Sequence, residues 1–320
     1  MLLRILSKTV CIFTLFLIFV GGMVTSTGSG LSVPDWPLSY GGLFPPMIGG
    51  IFYEHGHRMV AAIDGLLMVT LVILILKFEK RVWVRNLGIA AITAVILQGV
   101  LGGLTVLFFL PKPVSIGHAV LAQTYFILTL VIAYSQSLER EGRIAQNAPI
   151  PNKKVIIISL LVVVLIYIQL IFGAIMRHTH SGLAIPDFPT MGGFWLPPFN
   201  AEMLNQINVW RFYENLDLVS MGQVLIHFIH RLWAFIILTT VVFLNVTALR
   251  ILNDKFLIRT IMLLNTILIL QICLGIITVL SLKAPIITSL HVVTGAGSLG
   301  VSVLLLLRLS PLSLKDLKNL

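Results

Sequence analysis

The sequence predicts an all-α polytopic membrane protein whose eight transmembrane helices form two tandem four-helix bundles, a parallel internal repeat. Three observations predict it. Apolar residues fill 58% of the 320 positions and charged residues only 11%, less than half the usual share, so the chain cannot cover a soluble globule. Apolar runs of about 20 residues, the length a bilayer crossing needs, recur along the whole chain. The second half of the chain also repeats the first. The net charge of +10 raises the question of nucleic acid, but the Lys and Arg residues scatter between apolar runs with no basic, aromatic-rich stripe, so no nucleic-acid partner is expected. Cys11 and Cys273 both fall inside apolar runs, which leaves no legible disulfide framework or thiolate metal site.

The runs lie near residues 9 to 27, 58 to 76, 87 to 109, 114 to 137, 155 to 176, 223 to 249, 258 to 281 and 286 to 308. The first follows Arg4 and Lys8. It is read as a retained helix, being long for a signal-peptide core and lacking a small-x-small cleavage site. The second to fourth runs complete an N-terminal half over 1–137. Segment 138–154, with Glu139, Arg140, Glu141, Arg143, Asn147, Pro149 and Pro151, reads as a linker, and a C-terminal half fills 155–320. Sorting the basic residues by side puts 16 of the 22 together, from Arg4 and Lys8 through Arg140 and Lys153 to Lys315 and Lys318. The positive-inside rule makes that side, with both termini, cytoplasmic. The two long loops, about 28 to 56 and 178 to 222, then face outward.

The repeat is explicit. Ser29-Gly30-Leu31-Ser32-Val33-Pro34-Asp35-Trp36-Pro37 returns 152 positions later as Ser181-Gly182-Leu183-Ala184-Ile185-Pro186-Asp187-Phe188-Pro189. Further on the offset becomes 173, where Ile96-Leu97-Gln98 and Leu101-Gly102 match Ile269-Leu270-Gln271 and Leu274-Gly275. The second outer loop therefore carries 21 extra residues. Four helices per repeat is an even number, so both halves enter the membrane from the same side.

Histidines follow the same offset. His57 maps onto His230 and His118 onto His291, while His227 falls on Glu54. A lone membrane histidine commonly just bonds a neighbouring helix. Four at repeat-related places let one imidazole from the second helix and one from the fourth converge in each bundle, which is the axial ligation of a b-type haem. Zinc would want further ligands, and no cysteine or carboxylate cluster supplies them in the second half. Arg58 and Arg231 follow two of these histidines and could meet haem propionates or serve as interfacial anchors. Glu54, His57, Ala61 and Asp64 share one helix face; Asp64 reads equally as a proton-relay group or a helix-helix hydrogen bonder. Gly21, Gly22, Gly99, Gly102 and Gly103 allow close helix approach or room for a flat ligand, packing being the favoured reading; helix bonding is favoured for Gln98 and Gln271. His55, His178 and His180 stand outside the repeat and are secondary.

The duplicated halves, Glu54-His55-Gly56-His57-Arg58, Thr27-Gly28-Ser29-Gly30-Leu31 with Asp35-Trp36-Pro37, and His118, His230 and His291 together resemble the haem A synthase family over nearly the whole chain. That resemblance implies oxidation of the C8 methyl group of haem O to a formyl group, yielding haem A for terminal oxidases. It implies a haem b cofactor on His230 and His291, and a substrate haem pocket with His57, His118 and Arg58. Glu54 would be the catalytic carboxylate and Arg231 a propionate partner. It further implies haem O delivered by a haem O synthase and an electron donor the sequence does not name, and it is compatible with a homo-oligomer in the bilayer. Many bacterial members carry a cysteine pair in the first outer loop, and this chain has none there. A bacterial inner membrane is expected, because no Arg- and Ser-rich transit segment precedes the first helix. The main rival is a quinol-linked di-haem electron carrier, which would need no carboxylate beside one haem. A transporter would need broken helices and midplane charges, of which only Asp64 is present.

Overall fold

The structure, a computed structural model, describes residues 1–145, 153–252 and 254–309. Asn147, Pro149 and Pro151 of the expected linker, and Lys315 and Lys318 near the C-terminus, lie outside the described residues. Among those described the protein is helical throughout, with α1 (Leu2–Ser26), α2 (Gly49–Phe78), α3 (Val82–Leu107), α4 (Lys112–Ser135), α5 (Leu138–Ala145), α6 (Lys153–His178), α7 (Ala201–Tyr213), α8 (Met221–Ile251), α9 (Lys255–Leu280) and α10 (Pro285–Leu309). All except α5 and α7 are long and apolar enough to cross a membrane, which gives the eight expected spans.

Local chemistry explains where the helices begin. Ser220 and Gln223 form a reciprocal capping box at the start of α8, Asp254 accepts the first N–H groups of α9, and Asn200 caps α7; each satisfies donors that the first helical turn leaves open. Proline in the first turn of α4 and of α10 serves the same end, since it has no N–H to leave unpaired. Two elements differ from expectation. Helix α2 begins at Gly49, well before the apolar run near 58, because Glu54 and His55 are buried against the first outer loop and hydrogen-bonded by it. Within the 21 extra residues of the second loop the chain forms α7, which buries Met203 and Ile207 beneath that loop.

Packing closes two rings. α1 contacts α2 and α4, and α3 contacts both of those helices; α6 contacts α8 and α10, and α9 contacts both of those. The seam between the rings joins α1 to α10, and α4 to both α6 and α10. Small residues line it. A Cβ on Gly300 would stand 2.9 Å from Phe126, and one on Gly22 3.4 Å from Ser289, so the backbones approach as closely as small side chains allow. Arg177 of α6 crosses the seam to the Gly22 carbonyl (2.6 Å) and the Ser26 hydroxyl (2.7 Å).

The two outer loops fold alike. Ser39 pairs with Gly42 and Met191 with Phe194 in matching bridges. Asp35 accepts from the N–H groups of Tyr40 (2.7 Å) and Gly41 (2.8 Å), as Asp187 accepts from Gly192 (2.6 Å) and Gly193 (2.9 Å). Each of these partners stands 152 positions from its counterpart.

Candidate functional site

Helix geometry sets the depth of the four histidines. At 1.5 Å per residue, His57 and His118 lie roughly 12 and 9 Å along α2 and α4 from their outer ends, and His230 and His291 roughly 13 and 9 Å along α8 and α10. His57 and His118 belong to helices of the first ring, and His230 and His291 to helices of the second. The members of each pair given by the repeat thus share a ring.

Each of the four imidazoles also sits against a glycine of a neighbouring helix. A Cβ on Gly21 would lie 3.2 Å from His57, on Gly102 3.5 Å from His118, on Gly173 3.5 Å from His230, and on Gly275 3.0 Å from His291. Gly173 follows Gly21 by 152 positions and Gly275 follows Gly102 by 173, so the cradle is duplicated with the histidines. From the sequence alone Gly21 and Gly102 read as packing residues, Gly275 is only a repeat match, and Gly173 is unmentioned. The signal that finds them is the repeat offset applied to glycine as it was applied to histidine.

Two buried ring nitrogens of these four histidines have no protein partner among the described residues. His118 Nδ1 and His230 Nδ1 are buried without a hydrogen bond among the described residues. His291 Nδ1 lies 3.1 Å from the Gln271 carbonyl, which fixes the proton on Nδ1 and leaves Nε2 with its lone pair, the tautomer a metal ligand requires. Gln98 donates to the His118 main-chain carbonyl at 3.1 Å, the helix-bonding role expected of it. Gln169, not singled out in the sequence, donates to the His230 carbonyl at 3.0 Å and lies 3.3 Å from its Nε2. No cluster of three or more metal-binding side chains occurs among the described residues. Two imidazoles per ring, each with a glycine behind it, suit a flat macrocycle that brings its own equatorial ligands.

The carboxylate beside the first pair is built into the loop. Glu54, 4% exposed, accepts from the Val33 N–H at 2.8 Å and from Arg58 at 2.7 Å. His227 takes the equivalent place, with the Ile185 N–H at 3.1 Å and Arg231 Nε at 3.1 Å. Arg58 also donates to the carbonyls of Asp35 (2.7 Å), Leu38 (2.8 Å) and Val33 (3.1 Å), and Arg231 to those of Ile185 (3.0 Å) and Thr190 (3.2 Å). Both arginines thus fasten the outer loops to α2 and α8. A propionate would have to compete with these carbonyls for the same N–H groups.

Asp64 lies two turns further along the Glu54 and His57 face, fully buried, and accepts from Thr14 (3.1 Å) and Tyr125 (2.8 Å). It ties α1, α2 and α4 together, and its counterpart at the 173 offset is Ile237. His55 is buried and bonded to Ser39 at 2.8 Å.

A family model described as cytochrome oxidase assembly protein matches residues 4–49 and 48–303. The heme A synthase of Orientia tsutsugamushi strain Ikeda is 26% identical over 88% of this chain and 89% of its own length. That of Bacillus pumilus strain SAFR-032 is 32% identical over 58% of this chain and 62% of its own. A third, from Shouchella clausii strain KSM-K16, is 29% identical over 59% and 64% respectively. The chain thus matches less than two thirds of the Bacillus and Shouchella relatives and nearly nine tenths of the Orientia one. Because the family model spans almost all of the described residues, with the paired histidines inside the match, the chain belongs to the COX15-CtaA family of cytochrome oxidase assembly proteins.

Proposed function

We propose that this chain is a haem A synthase, oxidising the C8 methyl group of haem O to a formyl group. The two helix rings are read as tandem four-helix bundles, 1–137 and 155–320, joined by the 138–154 linker. The N-terminal bundle takes haem O between His57 and His118. The C-terminal bundle holds haem b on His230 and His291, with Arg231 at its outer rim. When bound, that haem would supply one-electron redox chemistry. Delivery of haem O by a haem O synthase and association into a homo-oligomer fit this reading. Membrane insertion with both termini cytoplasmic, in a bacterial inner membrane, is supported by the excess of Lys and Arg on the face that carries the termini.

One observation carries the assignment of roles: at the equivalent positions one turn before the second-helix histidines, the first half has Glu54 and the second His227. Removing hydrogen from a ring methyl group builds positive charge at that carbon and releases protons. A carboxylate stabilises the charge and accepts a proton, whereas a neutral imidazole supplies no negative charge. Arg58 holds one oxygen of Glu54 in place, and the Val33 N–H fixes the other. The di-haem carrier reading gives no task to this asymmetry.

The test is to produce the protein in a host that makes haem O and to identify the extracted haems by chromatography. The native chain should yield haem B together with haem A or O. Glu54→Gln should keep the C-terminal haem and stall conversion, with a fall of about 100-fold, the scale of a general acid–base contribution; His227→Gln should be milder. Haem B alone in the native chain would favour the carrier. Normal conversion in Glu54→Gln with failure in His227→Gln would exchange the roles of the two halves.

A further inference from the structure

Far from the histidines, at the opposite end of the seam, the structure contains a groove of about 330 Å³ between α1, α4, α5 and α10. Ile12, Leu130 and Leu304 form its apolar wall, and Arg4 and Lys8 stand at its basic end. Its charges are unevenly matched. Glu139 is held by Arg308 through two contacts of 2.7 Å, and Arg4 donates to Glu141 at 3.3 Å and to the Gln136 carbonyl at 2.9 Å. Lys8 has no ion pair among the described residues. A second observation points to a ligand. Tyr134 lines the groove, is only 6% exposed, and its hydroxyl is buried with no hydrogen-bond partner among the described residues. A buried hydroxyl left unpaired is costly, so such groups ordinarily have a partner.

We propose that this groove binds one anionic phospholipid from the leaflet on the basic face of the protein. Its phosphate lies between Lys8, Arg4 and the Tyr134 hydroxyl, and an acyl chain runs along Ile12, Leu130 and Leu304. The amphipathic lining selects a lipid over a free anion: a basic mouth that leads into an apolar trough facing the hydrocarbon region has no use for inorganic phosphate. Because the groove is made of helices from both rings, the lipid would fasten the seam at the end opposite to Arg177. The proposal is independent of the haem assignment, since none of its residues lies near the four histidines.

The experiment uses the full chain in nanodiscs of mixed phosphatidylcholine and phosphatidylglycerol, with retained lipid counted by native mass spectrometry after release. The native chain should keep one phosphatidylglycerol in preference to phosphatidylcholine. Lys8→Gln should lower that retention roughly fivefold, the effect of one basic residue at a membrane surface. Tyr134→Phe should also lower it, while leaving the unfolding temperature in pure phosphatidylcholine unchanged. A purely structural tyrosine would show neither the loss nor its dependence on lipid, since the hydroxyl has no protein partner to lose. Equal retention of the two lipids, or unchanged retention in both variants, would overturn the proposal. So would a native chain that keeps no lipid while a chain ending at residue 309 keeps one, since the C-terminal segment would then be the occupant.

Discussion

Glu54 and His227 are equivalent in place but unequal as acceptors. A carboxylate receives the Val33 N–H and the Arg58 guanidinium together, while a neutral imidazole has one acceptor nitrogen and can serve either the Ile185 N–H or Arg231 Nε–H. His227 therefore accepts one hydrogen bond fewer than Glu54 does. His227→Glu should supply it, slowing hydrogen exchange at the Ile185 N–H about fivefold, as one net hydrogen bond of about 1 kcal/mol would; faster exchange would show that the loop needs the ring itself. Steric grading separates the glycines behind the histidines. A Cβ at residue 275 would press on the His291 ring at 3.0 Å, closer than ordinary contact, whereas one at residue 173 would rest against His230 at 3.5 Å. Gly275→Ala should shift or weaken the reduced α-band of the haem proposed for the C-terminal ring, and Gly173→Ala should leave it in place.

Between elements, the turn from α2 to α3 offers a pH-dependent contact outside the spans. Arg81 grips Glu79 through Nε (2.9 Å) and a second nitrogen (2.6 Å), and Gln136 at the end of α4 adds a contact of 2.7 Å. The Arg81 hydrogen bonds, assisted by Gln136 and opposed by burial, hold the Glu79 carboxyl down at about 2. A carboxyl lowered by folding stabilises the protein fully above its unfolded value of 4.5 and loses that contribution as pH falls toward about 2. Glu79→Gln should cost about 1 kcal/mol at neutral pH, a figure reduced for solvent screening. The gap in unfolding free energy between the two proteins should close between pH 5 and 2. A gap that stays constant with pH would assign the cost to packing. The spans themselves were legible because length and hydropathy determine them, whereas the start of α2 was not: hydropathy leaves Glu54 and His55 in the loop until their loop partners are known. Helix α7 was foreseen only as 21 extra residues, since a length difference carries no shape. The pairing of histidines was legible from the repeat offset. The loop-fastening role of Arg58 and Arg231 was not, because its acceptors are main-chain carbonyls that any residue can offer.

At the scale of the whole molecule, two closed rings meet along a seam where small residues pack beside an apolar cluster of Cys11, Ile18, Phe126, Ala133 and Ala296. Gly300 of α10 faces Phe126 of α4, and Ser289 packs on Gly22 and Ser26 of α1. In a bilayer the lipid chains are as apolar as the helices, so close backbone approach and interhelical hydrogen bonds must hold such a seam together. Gly300→Leu would place a branched side chain where even a Cβ comes within 2.9 Å of the Phe126 ring, forcing α10 and α4 apart. Overpacking of this kind costs about 1–3 kcal/mol. His291, on the same helix, makes its contacts within the second ring, to Gln271 of α9 and with Gly275 behind it. The variant should therefore keep the α-band of the C-terminal haem while its thermal unfolding falls and separates into two transitions, one for each ring. Loss of the α-band together with the seam would mean that the second ring does not hold its ligands without the first.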